Sequence, residues 1–371
     1  MPHSMDTSLT FERRDAASAG DAPRVRLSSI ADDKAMLRAA AELTRDLNPP
    51  RAAIYWTDLL LSAGIGYAAL ALAMTLPSVG WAIVAGVVAV LALYRAGSFI
   101  HEVTHIRHAS LPGFRLGWNV IAGIPLLVPS FMYEGVHNLH HARTRYGTSE
   151  DPEYLPLASM KPWTLPLFIL TSILAPFALI VRYGVLTPLS LIVPGMHRVL
   201  VERYSSLSIN PAFRRRMPEG EAARLWLWLE GACSVWAVTL IVLIATGVFP
   251  LRMVAIAMVI TSGVYVLNQI RTLVAHLWDN HEGEAMSVTA QYLDTVNVPP
   301  PAFLPVLWAP VGLRYHALHH LLPGLPYHSL AEAHRRLSKA LGTESPYHTA
   351  SYPGLPGLVT RLVRSTMGSR A

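Results

Sequence analysis

The chain has 371 residues, of which 52% are hydrophobic and only 15% charged, against about 25% charged in soluble domains. With a mean hydropathy of +0.35, this composition excludes an ordinary soluble domain. The net charge of +6 does not point to nucleic acid, because the basic residues flank apolar runs as they do in loops facing anionic lipid. The single cysteine, Cys233, excludes an intramolecular disulfide and any cysteine-based zinc or iron–sulfur site built from this chain alone.

In chain order, residues 1–28 are polar, lack the apolar core of a secretory signal, and are expected to form a mobile tail. Residues 29–48 read as a cytosolic helix, with helical periodicity over 31–47 that ends at Asn48-Pro49-Pro50. The apolar runs 54–76 and 79–100 are each long enough to cross about 30 Å of hydrocarbon, and the short Pro77-Ser78 connection makes them a hairpin. Arg95, in the last turns of the second run, is expected to snorkel to the headgroups. The run 116–131 is short and interrupted by Gly123, Pro125 and Pro129, so it reads as interfacial or re-entrant. The run 164–193, broken by Pro176, Arg182 and Pro188, reads as a shallow re-entrant hairpin. A second hairpin spans 225–250 and 253–274, and 331–341 reads as an amphipathic helix. A membrane domain over 49–345 and a C-terminal tail over 346–371 complete the division.

The expected fold is therefore all-α and integral to the membrane, with four transmembrane helices in two hairpins under a cytosolic histidine-rich helical cap. Such a layout puts both termini on one side. Arg198, Arg203 and Arg214-Arg215-Arg216 lie on that side and the intervening turns are nearly free of Lys and Arg, so the positive-inside rule makes it cytosolic.

Three histidine clusters fall beside these runs: His101 with His105, then His137, His140 and His141, then His316, His319 and His320. Residues at i, i+3 and i+4 share one face of a helix, so three such faces can enclose a two-metal site. Eight histidines exceed the four ligands of a closed structural zinc site. Neutral imidazole suits iron, zinc, copper and nickel, and iron is the natural choice where an open position must bind O2. His108 continues the first face at i+7 and is a candidate ligand or supporting residue. Glu102, Asp151 and His328 are candidates for a metal-binding or ligand-orienting role, since ligating imidazoles commonly donate to a carboxylate. Arg271, near the end of the last span, and Arg314 are candidates for binding a substrate headgroup. A histidine-rich metal transporter is the remote alternative. It should carry its ligands midway along broken spans, whereas every cluster here lies at or beyond a span's end.

With its HxxxH box, two HxxHH boxes and the stretches Gly312-Leu313-Arg314-Tyr315 and Pro326-Tyr327-His328, the sequence resembles the membrane fatty acid desaturase and hydroxylase superfamily, in its bacterial form, from about residue 54 to about residue 340. The resemblance implies a non-haem centre of two iron ions per chain at the cytosolic face of the inner membrane. It adds His276 to the ligands, and it leaves no catalytic residue beyond the ligands themselves. The asparagine that some members carry four residues before this histidine is Thr272 here. The implied reaction is O2-dependent oxidation of a fatty acyl chain. Desaturation is the first expectation, with hydroxylation or oxidative decarboxylation to a terminal alkene as alternatives. The chain shows no haem-attachment, CxxC or GxGxxG motif, so electrons are expected from an external ferredoxin-type carrier.

Overall fold

A computed structural model describes residues 26–155, 157 and 160–367. Most of the expected N-terminal tail, 1–25, lies outside the described residues. Among them there is no sheet, only isolated bridges, and the architecture is all-α. The first helix, α1 (Lys34–Leu43), is capped by Asp33, whose carboxylate accepts from the amides of Ala35 and Met36. Helices α2 (Ala52–Thr75) and α3 (Val79–His105) form the first hairpin, followed by the short α4 (Phe114–Trp118) and a π-helical turn at Asn119–Gly123. The one-turn α5 (His137–His140) carries the second histidine cluster. Helix α6 (Thr164–Val181) runs through a π-helical turn, Arg182–Leu186, into α7 (Thr187–Leu189), and α8 (Met196–Tyr204) follows. Helix α9 (Gly220–Ala245) leads by a short turn into α10 (Leu251–Ala275), but the two do not form the packed hairpin expected from the sequence: α10 lies against α3 and α6, and α9 against the π-helical turn Arg182–Leu186. The cap is completed by α11 (Val288–Leu293), α12 (Pro305–Trp308), α13 (His316–Leu321), α14 (Leu330–Ala340) and α15 (Leu355–Met367). Helix α15 lies within the segment expected to be a tail, and its Leu358 and Leu362 are buried.

Among the described residues five helices are long and apolar enough to cross a membrane: α2, α3, the continuous Thr164–Leu189, α9 and α10. The third of these differs from the broken re-entrant hairpin expected of a run with two prolines. Both are accommodated without a break. Pro188 comes just after the π-helical turn Arg182–Leu186, where the Thr187 hydroxyl donates to the Arg182 carbonyl at 2.8 Å and the altered register absorbs the missing donor. Pro176 is buried inside α6, and in the turn before it the Ser262 hydroxyl of α10 donates to the carbonyl of Ile173 at 2.7 Å. Outward residues of the long helices, such as Leu61, Val84, Leu174 and Val259, remain exposed, which suits side chains facing lipid rather than water.

The first hairpin packs closely because Gly66 has no side chain. A Cβ there would lie 2.7 Å from a Leu93 methyl and 3.0 Å from the Leu93 backbone nitrogen. Gly66→Val is therefore expected to force the two helices apart and lower stability by about 1–3 kcal/mol, read as an earlier unfolding transition in detergent. Arg95 does not snorkel. Its Nε donates to Asp58 of α2 at 2.7 Å, and the Tyr327 hydroxyl donates to the same carboxylate at 2.8 Å, tying the hairpin to the cap.

Candidate metal centre

The end of α3, the one-turn α5, the end of α10 and the start of α13 converge at one place above the long helices. There the ring nitrogens form two groups. His101, His105, His137, His141 and His319 make one, and His140, His276, His316 and His320 the other, with the donor atoms within each group lying inside 4.8 Å of one another. Helical geometry explains the partition. With about 100° per residue, positions i and i+4 point within about 40° of each other, while i+3 points to the other side. In both HxxHH boxes the i and i+4 residues accordingly share a group and the i+3 residue crosses to the other.

His276 is placed by a short extended segment. The Val296 amide donates to the Ala275 carbonyl at 3.0 Å, the Leu277 amide to that of Asp294 at 2.8 Å, and the Ala317 amide to that of Val296 at 3.1 Å. The buried Asn297 accepts from the Leu318 amide at 3.1 Å, so one strand-like stretch fixes the end of α10 against the third box.

Carboxylates and tyrosines orient the rings. His137 Nδ1 lies 2.9 Å from Glu153, and His140 Nδ1 lies 3.0 Å from both oxygens of Asp151. Asp151 in turn accepts from the amides of Gly147 and Glu153, both at 2.8 Å. Gly147 has φ +72°, and a Cβ there would collide with Met286 and Asn280, so the turn that aims its amide at Asp151 requires glycine. His276 Nδ1 lies 2.9 Å from the Tyr146 hydroxyl, which donates to Asp294 at 3.0 Å. The Tyr154 hydroxyl donates to that same carboxylate at 2.7 Å. Burial pushes Asp294 up to about 7 and does the same to Glu153.

Burial, with neighbouring imidazoles adding to it, holds His137, His141, His316, His319 and His320 well below the ordinary histidine value, so these rings are neutral. His140 is the exception. Burial acts to lower it too, but the Asp151 carboxylate outweighs that and raises it.

The arrangement fits metal ions. Donation of Nδ1–H from His137 and His140 to their carboxylates leaves an Nε2 lone pair on each, directed into its group. Nε2 of His141 lies 3.0 Å from that of His137 and 3.1 Å from that of His319, which is itself 3.1 Å from His105. In the other group His316 lies 3.1 Å from His276 and 3.2 Å from His320. Nitrogens about 2.1 Å from one ion at right angles would stand about 3 Å apart. Both nitrogens of His101 and Nε2 of His140 are buried without a hydrogen-bond partner; because a neutral imidazole keeps one N–H, one His101 nitrogen and the His140 Nε2 are left with lone pairs that suit a cation.

The remaining sequence candidates divide. Asp151 is in direct contact with His140. Glu102 is 3.8 Å from His101 but spends its carboxylate on the Tyr55 hydroxyl and, at 3.1 Å, on the Tyr327 amide. His108 is half exposed, 3.4 Å from Glu134, and belongs to neither group. His328 accepts from the Arg51 amide at 3.1 Å, away from both groups. Arg314 donates to the carbonyls of Val298 and Ala302 at 2.7 and 2.6 Å, holding the proline-rich loop. Arg271 is buried and lines a cavity of about 430 Å³ that reaches His101. Tyr146 and Asp294 carry no sequence signal, since Tyr146 lies 130 residues from His276 and 148 from Asp294. Asp294→Asn is expected to lower metal affinity or turnover by about tenfold to a hundredfold with little change in fold, checked by metal titration alongside helical content.

Residues 78–352 match the fatty acid desaturase family. The chain is 50% identical over 329 residues, 89% of its length and 93% of the relative's, to a protein of Caulobacter vibrioides named ceramide hydroxylase. No solved structure matches the chain.

Proposed function

The chain belongs to the fatty acid desaturase family and is a membrane oxidoreductase acting on a lipid chain, and from that premise we propose that it hydroxylates a ceramide-type lipid with O2 at a pair of histidine-bound iron ions. The observation that carries this reading is the cavity. It runs between α3, α6 and α10, has Ala122, Ala175, Leu179 and Val264 among its walls, and reaches His101, Tyr133 and Glu153 at the metal groups. An apolar, partly enclosed space of this size suits a hydrocarbon segment held with one carbon at the reacting centre. Hydroxylation is favoured over desaturation by the name of the half-identical relative. Desaturation is the second reading, favoured by the family's own name.

His101, His105, His137, His141 and His319 would hold one ion, and His140, His276, His316 and His320 the other. Iron bound there supplies O2 activation, which an unactivated methylene requires because it offers no acidic proton. The protein's own part is placement. Tyr133 stacks on His137 with ring centroids 4.4 Å apart, and its hydroxyl lies 3.2 Å from Glu153, so the wall beside the metals is rigid. Closely packed aliphatic residues elsewhere exclude water from the reacting carbon.

Four membrane crossings with a cytosolic site remain our reading of the topology. After α7 the chain turns back, and the Tyr204 carbonyl and Ser205 hydroxyl at the end of α8 meet Arg182 again, at 3.3 and 2.8 Å. The return segment exposes Arg198, Arg203 and Tyr204, which suits the headgroup zone. Both ends of this excursion then lie on the site's side of the inner membrane. Exposed Arg107, Arg214 and Arg216 near the site suit an acidic ferredoxin-type donor.

The test is incubation of the purified protein with ceramide, O2, ferredoxin and its reductase, followed by mass spectrometry of the lipid. Gain of one oxygen is the expected result. Loss of two hydrogens would replace hydroxylation with desaturation, and an unchanged ceramide beside oxidised free fatty acid would replace the substrate.

A further inference from the structure

Among the described residues, the buried side-chain nitrogens and oxygens without a hydrogen-bond partner are mostly histidine nitrogens of the metal groups. Of the others, three belong to residues that line the cavity described above: Ser206 Oγ, Gln269 Nε2 and Arg271 Nε. Arg271 is only 8% exposed; the Tyr94 and Tyr133 hydroxyls lie close to its guanidinium, but its one side-chain hydrogen bond of regular geometry is a long contact from Nη2 to Asn268 at 3.4 Å, and Nε has no partner. Among the described residues no carboxylate forms an ion pair with it, whereas the equally buried Arg182 has Glu230. Leaving such buried donors unpaired beside the aliphatic part of the cavity is costly, so they point to an acceptor brought by a ligand.

We infer that Ser206, Gln269 and Arg271 form a polar subsite that receives the amide carbonyl and neighbouring hydroxyl of an N-acyl sphingoid lipid. The inference rests on the lipid-oxidation reading above and adds the residues that recognise the lipid's polar part. Two of the three unpaired atoms, Gln269 Nε2 and Arg271 Nε, can only donate, and a carbonyl oxygen can only accept. The serine hydroxyl can do either and suits a hydroxyl beside that carbonyl. Arg271 lies five residues before His276 on the same chain, about 7.5 Å along a helix axis. A carbonyl anchored there leaves only a short stretch of chain between the subsite and His101. Oxidation therefore falls within the few carbons next to the amide and its hydroxyls, not in the middle of a long tail.

The experiment is equilibrium binding of a fluorescent N-acyl sphinganine to the full-length protein in nanodiscs, with the free fatty acid of the same chain length as competitor. Gln269→Leu and Arg271→Met are compared with the unsubstituted protein and with Arg271→Lys, which keeps the charge but loses the planar fork. Each of the first two is expected to weaken binding roughly tenfold or more while metal content and the unfolding transition stay unchanged. Unaltered affinity in both variants, or a free acid that competes better than unlabelled ceramide, would overturn the assignment. Because binding is read without turnover, a protein that binds ceramide through these residues yet forms no oxidised ceramide would overturn the proposed reaction and leave the subsite standing. In a turnover assay, the position of the oxidised carbon should scatter in Arg271→Met. A single unchanged position would again count against the subsite.

Discussion

Replacing His319 by alanine is expected to empty one metal group and leave the other intact. Its Nε2 is the shared neighbour of His105 and His141, at 3.1 Å from each, and its ring lies 4.2 Å from that of His101. The four-histidine group does not use it. Iron per chain should therefore fall from two toward one. Turnover should drop by more than about a hundredfold, beyond what loss of an outer hydrogen-bonding partner causes. Elemental analysis of the purified protein, paired with His316→Ala as the reciprocal variant, checks the partition directly. Retention of both ions in His319→Ala would mean that the two groups are not the two sites.

The second large effect concerns stability. Arg182 and Glu230 form an ion pair at 2.5 Å with both side chains 4% exposed. The other Glu230 oxygen takes His197 at 2.9 Å and the Trp226 indole N–H at 3.3 Å, while Arg182 also donates to Thr187 and Ser205. One carboxylate thus joins the π-helical turn before α7 to α8 and α9. Glu230→Ala leaves the arginine charge buried without compensation and is expected to lower stability by about 3–5 kcal/mol. The cost of losing one partner exceeds the net worth of the pair, so a double replacement of Arg182 and Glu230 by apolar residues should recover much of it. Unfolding in detergent, followed by helical signal, measures both. A single variant as stable as the parent would show that this junction does not hold the excursion of Thr164–Leu189 in place.

Much of the centre is legible in the sequence, because its signals are local. Spacings of i, i+3 and i+4 fix which histidines share a helical turn, and uninterrupted apolar runs fix which helices can meet lipid; neither depends on distant parts of the chain. All nine histidines expected around the metals come together in the two groups. The role of His276, by contrast, follows only from resemblance, since a lone histidine after a span has no pattern of its own. The run 164–193 is misleading as a sequence because its prolines count as local breakers. In the folded protein a hydroxyl from α10 and a π-helical turn absorb them. Arg95 is misread as a headgroup residue for a similar reason: sequence shows its depth in the helix but not Asp58 on the neighbouring one.

Residue order alone therefore specifies eight of the nine histidines of the centre: helical histidine turns at the ends of apolar segments, in neutral imidazole chemistry. The sorting of those histidines into two groups, and the network behind them, arise only on folding. Sorting depends on how four separate helix ends rotate toward a common point, and the Tyr146–Asp294 support joins residues 148 positions apart. The same holds for Arg271. Its place in a span is plain from the sequence, but whether its charge is already partnered depends on side chains from other elements, and among the described residues Glu153 shares its cavity without forming an ion pair with it.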